Sequence, residues 1–131
     1  MATGTPEDGA ASAVVAPAAA PPQVVAARAV PHSVPSEAKA AFLAGYRAAG
    51  GPLQWERHFI EVVIPCEGHW QLDPPGYHLG LLQFDPRTWE SCARPGADYR
   101  DPFEQGWCAA AWVNMGVDPG GTGGWGYCWW Q

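Results

Sequence analysis

The chain has 131 residues, a formal net charge of −6, 16 Gly, 14 Pro, 4 Cys and 8 Trp. That is one small domain's worth of chain, and its acidity excludes nucleic acid as the main partner, since phosphate binding needs a basic face. The same balance excludes a polybasic membrane anchor, and no apolar run reaches the ~18–20 residues of a membrane-spanning helix.

Residues 1–35 hold eleven Ala and six Pro, with Glu7, Asp8 and Arg28 as their only charges. Such a stretch buries too little apolar surface to offset the entropy of ordering it, so it reads as a disordered, partly polyproline-like tail or linker. A folded Ala-rich helix is blocked by Pro17, Pro21, Pro22 and Pro31. The first residues lack a positive n-region, and Pro17 breaks the Ala/Val stretch, so no secretory signal is expected here. Residues 36–52 read as a short helix and a Gly-rich connection. Ser36 caps the helix over about 37–49, Phe42, Leu43 and Tyr46 share one face, and Gly50-Gly51 end it.

Pro52 suits the first position of a second helix running to about 65, its apolar side holding Trp55, Phe59, Ile60, Val63 and Ile64. Pro65 removes a backbone donor and should kink or loosen that helix just before Cys66-Glu67. Residues 68–80 are rich in Gly and Pro and are expected as a loop or small β-ribbon. Asp85-Pro86 signals a third helix near 86–92, and Asp101-Pro102-Phe103-Glu104 a fourth, running to Asn114 or Met115 and stopping at Gly116. Residues 118–131 read as a Gly-rich loop ending in aromatics. The fold class is therefore mainly α, with a minimal β or loop region.

A folding unit of about 80 residues supports only a marginal core, so staples are expected. Cys66, Cys92, Cys108 and Cys128 contain no CxxC pair, which argues for two disulfides rather than zinc; sequence alone leaves three pairings open. The string Gly121-Thr-Gly-Gly-Trp-Gly126 matches GxGxxG, but too little chain follows it for the helix a nucleotide site needs. His58, His69 and His78 lack metal-ligand spacing, so neither metal nor cofactor is expected.

Glu67 stands apart. It lies at the frayed C-terminal end of an apolar helix, between Cys66 and Gly68, with Trp70 three residues on. The helix end and apolar surroundings both disfavour its charged form, so its pKa should rise. A carboxylic acid kept protonated near neutral pH is what glycosidic cleavage requires of its general acid.

Four stretches occur in order: Trp55 leading to Val63-Ile64-Pro65-Cys66-Glu67-Gly68-His69-Trp70, then Gly80-Leu81-Leu82-Gln83-Phe84, Pro86-Arg87-Thr88-Trp89, and Trp125-Gly126-Tyr127-Cys128. Together they resemble the resuscitation-promoting-factor and transglycosylase-like branch of the lysozyme superfamily over about residues 55–130. In that branch a Trp-led helix ends in Cys-Glu-Ser-Gly, followed by Gly-Leu-Gln-Phe, Pro-x-Thr-Trp and a terminal Trp-Pro-x-Cys. Here Gly68 stands for the usual Ser, and His69-Trp70 for the usual Gly-Asn.

The resemblance implies a lysozyme-like domain over 53–131, acting on the β-1,4 bond between N-acetylmuramic acid and N-acetylglucosamine in peptidoglycan. It makes Glu67 the catalytic acid/base, Gln83 a groove-lining glutamine, and Thr88 and Trp89 parts of the glycan site. Cys66 and Cys128 fall on the family's disulfide, so the favoured pairing is Cys66–Cys128 with Cys92–Cys108. Trp70, Tyr77, Trp89 and Trp107 are candidates for stacking on sugar faces, with Trp55, Trp89, Trp107 and Trp112 at helical spacing suited equally to the core. Asp73 is the nearest candidate for a second carboxylate, although Asp73-Pro74-Pro75 reads equally as a turn. Asp85 reads as a helix cap.

The expected partners are peptidoglycan glycan strands, met by a monomer outside the cell, at the wall or on a virion. A non-catalytic cell-wall-binding module and a virion-associated structural protein of the same shape are the competing readings.

Overall fold

In a computed structural model, the structure describes residues 35–131; the expected tail except for Pro35, which is helical, and the expectation about a secretory signal lie outside them. Among the described residues the chain is mainly helical, and its β structure is one isolated bridge between Leu79 and Phe84. Helix α1 covers Pro35–Ala48, α3 Pro86–Cys92, α4 Pro102–Asn114 and α5 Gly126–Trp129. Between α1 and α3 lies one continuous helical run, α2 (53–67). None of these helices is long and apolar enough to cross a membrane.

Helix α1 begins at Pro35, slightly before the Ser36 start expected, because proline's fixed φ suits the first turn. Its face of Ala38, Phe42, Gly45 and Tyr46 is buried, and it crosses α4 with backbone against backbone. A Cβ on Gly45 would sit 1.8 Å from the Phe103 carbonyl oxygen, and one on Gly106 2.0 Å from that of Phe42. Two glycines facing each other are thus the condition for this close crossing, and α1 shares one core with residues 53–131. Gly106→Ala should therefore force the helices apart and cost about 3 kcal/mol, the upper part of the overpacking range, because a carbonyl on a helix cannot step aside. Thermal unfolding would read this as a midpoint lowered by roughly 10 °C or more; an unchanged midpoint would mean that α1 does not seat as described.

Helix α2 departs from the single α-helix expected. It opens with a 3₁₀ turn at Leu53–Trp55, becomes α over Glu56–His58, widens to π over Phe59–Val63, and returns to α over Ile64–Glu67. The widening answers Pro65. A proline ring clashes with the carbonyl four residues back and offers it no N–H. In the π stretch the Ile64 N–H reaches Phe59 O, five residues back, and the helix runs on past the proline to Glu67. The expected loosening is therefore a change of helical register, and Glu67 remains helical.

Asp85 and Asp101 cap α3 and α4 as expected, their carboxylates accepting from Arg87 N and Phe103 N, both at 2.9 Å. Glu104 does not close a capping box. It is fully buried and paired with Arg94, whose guanidinium lies 4.6 Å from the Trp107 ring centroid and 5.2 Å from that of Phe103.

The chain's end is helix α5 rather than the loop expected, because Trp129 is drawn into the core. Its ring meets Trp55, His58 and Phe59, and His58 Nε2 reaches its carbonyl at 2.5 Å. Phe59 anchors this aromatic centre, with Tyr46 and Trp125 edge-on at 5.6 and 5.1 Å. Such edge-to-face pairs add stabilisation beyond the area they bury. Of the Trp side chains, Trp89, Trp125 and Trp129 are buried, while Trp130 is 73% exposed.

The disulfides join Cys66 to Cys128 and Cys92 to Cys108, with Cα–Cα separations of 5.6 and 4.7 Å, and no cysteine is free. The first ties the end of α2 to α5; the second ties α3 to α4. Both suit an oxidising compartment outside the cytosol.

Candidate active site

The site starts from the way α2 ends. Gly68 follows Glu67 and donates its N–H to Ile64 O at 3.1 Å. It lets the chain pass close to the turn opposite, since a Cβ there would meet Leu81 O at 3.2 Å. His69 and Trp70 then adopt left-handed backbone, φ 51° and 62°. For a residue as bulky as Trp this is a strained conformation, of order 1 kcal/mol or more. It swings the chain away from α2 and leaves the Glu67 side chain at the helix end.

The turn opposite is residues 79–84. Leu79 and Phe84 exchange both backbone hydrogen bonds, at 2.9 and 3.0 Å, and Leu81 and Leu82 are fully buried. Gly80 and Gln83 close the turn with φ 72° and 52°. Gln83 Nε2 donates to Gly80 O at 2.9 Å, which leaves the amide oxygen of Gln83 as its acceptor.

These segments border a cleft of about 490 Å³, lined by Glu67, His78, Gln83, Phe84, Asp85, Thr88, Trp112, Thr122, Gly123, Gly124 and Trp125. Its far wall is the Gly-rich 120–124 segment, fastened by a hydrogen bond from Trp112 Nε1 to Gly123 O at 2.8 Å. Trp125 holds the near side by donating Nε1 to Leu82 O at 2.9 Å. Among the described residues no Lys or Arg lines the cleft.

Burial pushes the Glu67 carboxyl up to about 7. Among the described residues no hydrogen bond or ion pair reaches its side chain to favour the anion. It is thus a carboxylic acid held half-protonated near neutral pH, facing a cleft of sugar-sized dimensions. Asp85, also on the cleft, has one carboxylate oxygen committed to its helix cap.

The residues singled out from the sequence fall into two groups. Glu67, Gln83 and Thr88 come together on the cleft, from α2, the 79–84 turn and α3. Trp70, Asp73, Tyr77 and Trp89 do not line it. Trp89 is buried against Phe84, with ring centroids 5.6 Å apart. Asp73 is exposed and accepts from the Tyr99 hydroxyl at 3.3 Å, and Tyr77 is 65% exposed, edge-on to His78. Trp70 packs half-buried on the core, and Trp107 stacks on Arg94.

His78, Trp112 and the Gly123–Trp125 stretch are the additions. The helical spacing of Trp112 suits it to the core, and spacing does not tell a cleft wall from a core face. The signal that could have found it is the Gly-rich segment itself, which needs a fixed donor to hold its carbonyls.

Among the described residues no cluster of His, Cys, Asp and Glu could hold a metal ion. Compared with protein-family models, curated proteins and solved structures, the chain matches none.

Proposed function

We propose that this protein cleaves peptidoglycan glycan strands at the N-acetylmuramic acid–β-1,4–N-acetylglucosamine bond, with Glu67 as the single general acid/base. One observation carries the reading. Glu67, Gln83 and Thr88, drawn from three separate motifs of the lysozyme-superfamily resemblance, share a cleft in which burial alone raises the Glu67 carboxyl to about 7.

The chemistry follows from that carboxyl. In its neutral form it donates its proton to the bridging glycosidic oxygen as the C–O bond breaks and positive charge develops on the muramic ring. As a carboxylate it then accepts a proton, either from a water attacking the anomeric carbon or from the muramic acid's own 6-hydroxyl. Water gives a reducing end and the 6-hydroxyl gives a 1,6-anhydro end; both return Glu67 to its neutral form.

Asp73, the nearest candidate for a second carboxylate in the sequence, sits off the cleft with Tyr99, which supports the single-carboxylate route. Trp112 and Gln83 offer a flat surface and an acceptor for sugar rings, and a chain of net charge −6 gains nothing from long-range attraction to an anionic wall. Binding should therefore depend weakly on salt. The disulfides fit work at the cell wall or on a virion.

The test is digestion of purified sacculi by the oxidised, folded protein, with products read by mass spectrometry. New reducing ends identify a muramidase and 1,6-anhydro ends a lytic transglycosylase. Sacculus binding without any cleavage would replace this reading with that of a cell-wall-binding module.

A further inference from the structure

Gln105 is fully buried in α4, and its amide is used at every polar atom. Oε1 accepts from Leu82 N at 2.9 Å, and Nε2 donates to Leu79 O at 3.2 Å and to Tyr99 O at 2.9 Å. This fixes the orientation of the amide, because a flipped group would set N–H against N–H and oxygen against two carbonyls. Two of the three partners belong to the turn that carries Gln83.

The turn's own backbone bonds are few, with Gln83 N–H donating to Gly80 O at 3.1 Å inside it. Leu79 and Phe84 pair at its base, and between them four residues must reverse direction with Gly80 and Gln83 in left-handed backbone. The peptide groups of Leu82 lie in buried space, where an unpartnered N–H loses its hydration with nothing in return. Gln105 takes the N–H and Trp125 takes the carbonyl of the same residue, so Leu82 is clamped from α4 on one side and from the start of α5 on the other. The residue after a clamped Leu82 is Gln83, with φ 52°. Gly80 shows how tight the fit is, since a Cβ there would lie 2.1 Å from Gln105 Nε2.

We infer that Gln105 is a positioning residue for the site: it does not touch the cleft, and it acts by locking the 79–84 turn so that Gln83 presents its amide acceptor across from Glu67. The inference rests on the glycan-cleaving reading for what Gln83 binds, but not for the lock itself. A filler side chain at position 105 would have no reason to be an amide; the three hydrogen bonds are the reason.

The test uses the full-length oxidised protein and the variants Gln105→Met, Gln105→Glu, Gln83→Ala and Gln83→Ala combined with Gln105→Met. Gln105→Met keeps length and loses all three bonds. Gln105→Glu keeps the acceptor for Leu82 N, loses both donors, and regains one of them when protonated, so it should recover toward wild type as pH falls relative to Gln105→Met. On solubilised peptidoglycan strands, Gln105→Met should lower kcat/KM about tenfold, mainly through KM. The double variant should be no worse than Gln83→Ala alone, because both changes remove the same contact. Additive losses would overturn the inference, as would wild-type kinetics in Gln105→Met.

Amide hydrogen exchange supplies an arm that needs no catalysis. The Leu82 N–H should exchange at least tenfold faster in Gln105→Met, or in Gln105→Leu should the methionine variant not fold, while amides in the middle of α4 keep their protection and Gln105→Glu, which retains the acceptor, stays close to wild type at Leu82. Unchanged Leu82 exchange would show that the turn holds without Gln105. If wild type neither binds nor cuts the strands, the glycan reading fails, and this arm alone decides whether Gln105 sets the turn.

Discussion

Glu67→Gln should abolish glycan cleavage and at the same time make the protein more stable above pH 7. The first effect follows from the proton the mechanism moves. Glutamine keeps the shape of the side chain and cannot give a proton to the glycosidic oxygen or take one back, so kcat should fall by about 10³-fold or more, within the range that a positioned general acid/base contributes. The second effect follows from burial. The carboxyl is raised from 4.5 to about 7 in the folded protein, so between those values the folded state binds a proton that the unfolded chain has released. Stability therefore falls as pH rises through this window; below it Glu67 carries no penalty, and above it the full penalty of the buried anion remains without further pH dependence.

Glutamine carries no such penalty. The variant should match wild type below about pH 4 and exceed it by about 2 kcal/mol at pH 8, once solvent screening at a half-buried carboxyl is allowed for. Wild-type kcat/KM should fall over the same upper limb, as Glu67 loses the proton it donates. Chemical denaturation at pH 4 and pH 8, beside a pH–rate profile, checks all of this. A glutamine variant that still cuts sacculi, or one that gains no stability at pH 8, would show that Glu67 is an ordinary solvated carboxylate.

The sequence made much of this site legible because its signals are local. Asp-Pro dipeptides at 85–86 and 101–102 announce helix starts through capping and fixed φ, and α3 and α4 begin there. Glu67 could be singled out because a carboxylate at an apolar helix end has few bland explanations, and burial does raise it. What stayed hidden depends on contacts between distant residues. The amide of Gln105 has no local signature, since nothing near 105 tells that its partners are Leu79, Leu82 and Tyr99.

Trp112 and Trp89 illustrate the same limit in opposite directions. Helical spacing suits both to the core, and Trp89 is a candidate for stacking on sugar as well. The difference is set by what packs beside them: a Gly-rich wall for Trp112 and the Phe84 ring for Trp89. Glu104 stands at the third helical position after the Asp101 cap, where a Glu can reach back to the cap, but Arg94, ten residues away, offers a charge-matched partner in the interior and takes it instead. The π turn at Phe59–Val63 is the intermediate case: Pro65 marks where the helix must change, while the way it changes depends on Phe59 and Ile60 staying buried.

Removing the Cys66–Cys128 bridge should cost more activity than removing Cys92–Cys108, beyond any difference in stability. By chain entropy alone, bridges closing separations of 62 and 16 residues contribute at most roughly 4 and 3 kcal/mol. Both serine pairs should therefore melt well below wild type. Their places in the site differ. Cys66 is the neighbour of Glu67, and its partner Cys128 lies in α5 just beyond Trp125, which holds Leu82 O and so the turn of Gln83. This bridge thus ties the acid and the glutamine to one short helix of four residues, Gly126–Trp129, too short to hold its place by its own hydrogen bonds.

Without that bridge the end of α2 and the turn can drift relative to each other, and small misplacements of catalytic groups cost up to about 10²-fold in rate. Cys92–Cys108 joins α3 to α4 behind the cleft, where the Phe84–Trp89 contact and the Asp85 cap still hold α3. Activity measured at a temperature where all three proteins remain folded should show a loss of about tenfold or more in Cys66→Ser/Cys128→Ser and near wild-type turnover in Cys92→Ser/Cys108→Ser. Equal losses would mean that the bridges act on stability alone, and that the alignment of Glu67 with Gln83 is set by the core beneath them.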